Sequence, residues 1–176
     1  MPRLEIELNP VSHLTVDAIG KPGQRVFYLQ AKKDEQVVTL LVEKVQIQTL
    51  AIGVEQFFTE LSAKLPQLPP AKVQYREAAM HIKPPVDPLF RAGEMGLAYD
   101  ADLDMMCLVV HEVLIENKTL DDVAVARFWC TRTQLRALIH WGLEVANRGR
   151  QICPQCGEPM DPTGHFCPKK NGHGRK

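Results

Sequence analysis

The last 26 residues carry three of the chain's five cysteines and two of its six histidines. Cys153 and Cys156 stand two residues apart, a spacing that lets both thiolates turn toward one ion. Gly157 follows and can adopt the positive φ that closes such a turn, bringing its backbone N–H near sulfur. Zinc takes four nitrogen or sulfur ligands in a tetrahedron. The remaining two must come from His165, Cys167 and His173. Cys153, Cys156, His165 and Cys167 form the preferred set, with His173 the alternative fourth ligand because its glycine-flanked end frays. So short a tail cannot bury an adequate apolar core, so metal binding would supply its folding free energy. Four protein ligands leave no open coordination position. The tail therefore predicts one structural Zn2+ per chain in a small zinc ribbon or knuckle, not a catalytic ion.

Other residues with chemical potential are scattered more thinly. Basic side chains gather late, and Arg132 and Arg136 lie one helical turn apart on a shared face. With Lys169 and Lys170 beside the cysteines, they form a candidate grip for RNA phosphates or an acidic protein. Asp100, Asp102 and Asp104 imitate the start of a calcium loop, but Met105 replaces the required glycine and His111 the closing glutamate. His111 and Glu112 are strand neighbours and face opposite sides. Cys107 and Cys130 sit in apolar runs and read as small hydrophobes. No phosphate loop, nucleophile elbow or dinucleotide fingerprint occurs.

These residues need elements to position them. Ile47, Leu50, Ala51, Val54, Phe57, Phe58, Leu61 and Leu65 recur at three- and four-residue steps, predicting a helix from about Val45 to Leu65. Gly53 inside it is expected at a close contact, and Pro66 stops it. Leu135, Leu138, Ile139, Leu143 and Ala146 predict a second helix over Arg132–Asn147, opened by a Thr131–Gln134 capping box. Trp141 falls off that stripe and reads as a contact surface or as core. Strand-like runs precede each helix, with turns at Asp34-Glu35 and Asp100–Asp104, and the N-terminus adds one or two more. Val37–Leu61 laid over Val125–Gly149 gives a rough internal match, pairing Gln46 with Gln134. Six prolines make residues 66–88 an extended, stiff crossover between halves 1–66 and 89–150.

The chain has 176 residues, 45% of them hydrophobic, so one core domain (1–150) with an appended tail (151–176) accounts for it. Lysine plus arginine equal aspartate plus glutamate at 21 each, which removes the broad positive field that nonspecific or specific DNA binding would use. No run approaches the apolar length of a membrane span, and the N-terminus lacks a signal peptide's apolar centre. Clustered thiols with no export signal point to the cytoplasm and to metal.

The stretches "GLAYD" and "RFWCTRTQLRAL" and the ending "CPQCGEPMDPTGHFCPKKNG" together resemble a bacterial family of unknown function, numbered 3090. The resemblance covers nearly the whole chain. It implies an origin in actinobacteria or chloroflexus-type bacteria and carries no established activity. The expected architecture is α+β: an antiparallel β-sheet, two amphipathic helices on one side, an internal duplication and the zinc-binding tail. The expected function is a noncatalytic module for a protein or RNA partner. The alternative is an enzyme or small-ligand binder with a groove between the halves, gathering groups such as His81, His111 or Tyr99.

Overall fold

Two three-strand meanders, each running straight into a long helix, make up the body. The computed structural model describes residues 2–149, 153–158, 160 and 165–171, with only the backbone of Lys170 and Asn171. Strands β2 (His13–Ile19), β3 (Val26–Lys33) and β4 (Gln36–Val42) lead into helix α1 (Lys44–Lys64). After a crossover containing one helical turn, α2 (Glu77–Met80), strands β5 (Ala92–Asp100), β6 (Met105–Glu112) and β7 (Val125–Cys130) lead into α3 (Arg132–Asn147). Strand β1 (Glu5–Leu8) precedes the first meander, and helical turn α4 (Pro168–Asn171) lies in the tail. Both expected turns are present, with Asp34 and Asp104 in the left-handed region that aspartate tolerates better than most residues. Among the described residues, no helix is long and apolar enough to cross a membrane.

One antiparallel sheet was too simple an expectation. The strands form two sheets, β1-β7-β6-β5 and β2-β3-β4, and β1 runs parallel to β7. Alternation of apolar and charged residues in β1 shows that one face is covered; it says nothing about which strand lies alongside or in which direction. The sheets meet at two corners. Val11 donates to the Trp129 carbonyl (2.8 Å) while Ser12 donates to that of Lys32 (2.7 Å). At the other corner Leu41 donates to Phe90 (3.0 Å) and Leu89 to Thr39 (2.9 Å).

The core is continuous through both units: Leu8, Leu29, Leu40, Met106, Leu108, Phe128, Leu135 and Leu138 are all fully buried. Helix α3 packs on β2 and α1. A Cβ at Gly142 would lie 2.8 Å from a Val16 methyl and 2.9 Å from an Ile47 methyl, so this approach requires glycine. Trp141 is wholly buried and donates from Nε1 to the Val16 carbonyl (2.7 Å), so it is core and not a contact surface. Gly53 also departs from expectation. No atom lies within 4 Å of a Cβ placed there, so it borders open space and makes no close contact.

The proline-rich crossover is fastened along its length. On α3 and its C-cap, Arg132, Arg136, His140, Glu144 and Arg148 recur at every fourth position and so share a face. Arg132 donates to the Pro69 carbonyl (2.6 Å) and Arg136 to that of Ala71 (2.6 Å). Glu144 accepts from the Tyr75 hydroxyl (3.1 Å), and Arg148 pairs with Glu77 (2.8 Å). The crossover then meets a buried polar row across the first sheet, where Thr15, Gln30 and Thr39 stand in register. Thr15 donates to the Met80 carbonyl, and Gln30 exchanges hydrogen bonds with the backbone of Lys83 (3.0 and 3.1 Å). Buried polar side chains need partners, and these three find theirs in each other and in the crossover's backbone.

Candidate metal centre

The tail brings four soft ligands together. Cys153 begins a tight turn in which the Gly157 amide donates to the Cys153 carbonyl (2.9 Å) and the Cys153 amide to that of Glu158 (2.8 Å). Gly157 has φ of 77°, the left-handed conformation that favours glycine. Its amide thus serves the backbone and not a sulfur, contrary to expectation. The amides of Cys156 and Gln155 are the ones directed at the Cys153 sulfur, and with help from the neighbouring thiols they lower its pKa to about 6 despite burial. This polarisation favours the thiolate, the form that binds metal.

The second half of the cluster arrives from residues 165–167. The Cys156 Sγ lies 3.3 Å from His165 Nε2, and the Sγ atoms of Cys153 and Cys167 are 3.8 Å apart. All four ligand atoms fall within 4.8 Å of one another. That geometry suits one metal ion. None of the five cysteines is in a disulfide. Cys153 and Cys167 are buried, Cys156 and His165 half-buried, and Phe166 between the last two ligands is exposed. His173, the alternative ligand, and the Lys170 side chain lie outside the described residues. Among the described tail residues there is a turn and α4 but no strand.

Other predicted site residues are dispersed. Arg132 pairs with Asp104 (2.7 Å) and Arg136 with Glu55 (3.0 Å), in addition to their crossover carbonyls. Their side chains are only 12% and 27% exposed, so the expected free basic face is committed inside the protein. Lys169 is exposed. Asp100 caps its own turn by accepting from Asp102 and Leu103, as a solvated turn would. Cys107 and Cys130 are buried, and burial pushes their thiols up to about 11 and about 12, which suits small hydrophobes and not nucleophiles.

A groove of about 520 Å³ does lie between the halves, walled by α1 and β5. None of His81, His111 and Tyr99 lines it. His81 contacts Asp17 (3.0 Å), Tyr99 donates to Asp104 (2.8 Å), and His111 leaves Nδ1 buried without a partner among the described residues. The expected groove between the halves thus has a different lining, and the Thr15–Gln30–Thr39 row escaped the sequence reading. The glycines of "AGEMGL" were the available signal for the groove, since glycine inside a strand marks a close approach or an open site.

Residues 6–167 match the model of a family described as Protein of unknown function (DUF3090). The matched span closes on Cys167, so it contains all four clustered ligands and stops short of His173. No curated protein and no solved structure matches the chain.

Proposed function

The chain belongs to the DUF3090 family, whose function is unknown, and we propose from its geometry that it is a noncatalytic zinc-containing interaction protein. The observation that carries this reading is the convergence of Cys153, Cys156, His165 and Cys167 within 4.8 Å. Zinc–sulfur bonds of about 2.3 Å in a tetrahedron give sulfur–sulfur edges of about 3.8 Å. The Cys153–Cys167 separation of 3.8 Å has that length. Three thiolates with one imidazole form a donor set suited to zinc, and four protein ligands leave no place for a reacting water. The role is structural, one ion per chain, in a compartment that keeps thiols reduced such as the bacterial cytoplasm.

The metal-organised turn would then present Phe166 and Lys169 to a protein partner. RNA is the weaker candidate, because Arg132 and Arg136 already serve Asp104, Glu55 and the crossover. The repeated order of elements and the matching helix-start glutamines, Gln46 and Gln134, support reading the two units as copies of one ancestor.

Two measurements test the proposal. Protein purified without chelator should carry one zinc per chain by elemental analysis. The zinc-loaded chain should retain a protein from native lysate that neither the stripped chain nor a chain ending at residue 150 retains. A metal-free preparation would overturn the zinc assignment. Identical captures by all three would overturn the tail's binding role, and tight binding of single-stranded RNA to the loaded tail would shift the partner class.

A further inference from the structure

We infer that the groove between α1 and β5 is a docking site for an extended apolar peptide of a partner protein, which adds as a strand to the free edge of β5. The inference is independent of the metal tail. Strand β5 is the outermost strand of its sheet and has β6 as its one strand neighbour, paired at Ala92 and from Met95 to Asp100 with a register shift at Gly93 and Glu94. Five consecutive residues, from Gly93 to Leu97, line the groove. Side chains alternate between faces of the regular strand from Met95 onward, and the shifted Gly93 and Glu94 stand outside the β6 ladder, so a groove that touches all five views the strand edge-on. At the start of that edge the Gln46 side chain already donates to the Ala92 and Gly93 carbonyls (2.9 and 3.0 Å); from Glu94 to Leu97, backbone N–H and C=O groups not used by β6 are left without a strand partner. Opposite stand Val45, Thr49, Gly53 and Phe57, one stripe of α1 at four-residue intervals. Edge-strand backbone on one wall and an apolar helix on the other form the arrangement that receives a peptide by strand addition.

Glycines keep the channel open on both walls. A Cβ at Gly53 or at Gly96 would meet no atom within 4 Å. The lined edge spans about 17 Å, the length of a five-residue strand. Pairing through five residues of edge buries far less than the roughly 800 Å² per partner of a stable dimer, and a second copy's β5 would carry its own flanking α1. A lone peptide has neither difficulty. Among the residues lining the groove only Glu94 is charged, so the peptide should set a lysine or arginine near it and otherwise present apolar side chains to α1.

The full zinc-loaded chain would be used to select a phage-displayed random nonapeptide library. A fluorescein-labelled synthetic copy of the consensus would then be measured by anisotropy. The expected result is a consensus of alternating apolar positions with one basic residue. Its binding should be lost in Gly53→Phe, with melting temperature and zinc content retained, and Glu94→Lys should exchange the basic preference for an acidic one. Should Gly53→Phe not fold, Thr49→Trp blocks the same channel from an exposed helix position. Bound peptide should slow amide exchange at alternate positions of residues 93–97. Absence of any enriched consensus, binding that survives both blocking variants, or no amide protection in β5 would each overturn strand addition. So would self-association that Gly53→Phe dissolves, which would make a second copy the occupant.

Discussion

The body and the tail are ordered by different physics. The body buries Trp141, Phe128 and a row of leucines in one continuous core, with hydrogen bonds closing its corners. The tail gathers four ligand atoms within 4.8 Å and, among its described residues, buries only two cysteines. Both are cysteine-bearing, yet Cys107 and Cys130 are hydrophobes held protonated by burial, whereas Cys153 is eased toward thiolate by two backbone amides. The same residue type does opposite chemistry because of what surrounds it.

The contrast breaks most completely at the ion. Cys156→Ser should reduce bound zinc from one per chain to none by elemental analysis, while the body's thermal transition is unchanged. The reverse perturbation is Trp141→Ala. It removes the largest buried side chain and the shorter of the Val16 carbonyl's two side-chain hydrogen bonds, so it should cost about 3–5 kcal/mol in urea unfolding. Zinc content of the folded fraction should stay at one per chain. A smaller effect belongs to the crossover. Arg136→Ala leaves the Ala71 carbonyl without its donor and Glu55 with His140 alone, and should cost about 1–3 kcal/mol, read as lost stability and faster protease cleavage within residues 66–76. The smallest effects separate two glycines of the helices. Gly53→Ala should add about 0.5–1 kcal/mol of stability, since the new methyl meets open space in a helix interior. Gly142→Ala should instead lower the melting temperature, because Val16 and Ile47 occupy its position.

Much of this was legible beforehand where a residue's role is local. The α3 boundaries follow from Thr131, Gln134 and the apolar stripe, and the four clustered ligands follow from spacing and chemistry. What stayed hidden depends on sequence-distant partners. A basic face at Arg132 and Arg136 looks solvated until the crossover arrives to accept its protons. Trp141 looks misplaced on a helical wheel because the wheel cannot show that β2 and the crossover cover a second side of α3; Tyr75 and His81 stand edge-on to its ring at 6.1 and 5.3 Å. Thr15, Gln30 and Thr39 are unremarkable one at a time, and only strand register makes them a row. Parallel pairing of β1 with β7 likewise joins chain segments more than a hundred residues apart.

Gln46 and Gln134 close the starts of their own helices, and each also reaches the other unit. Gln46 donates to Ala92 and Gly93 at the start of the second meander, while Gln134 donates to Val11 just ahead of the first. Neither half, expressed as a separate polypeptide, would find a partner for that amide. A chain severed within the crossover would therefore remain one particle, its two fragments interlocked through reciprocal contacts and not through the continuity of the backbone.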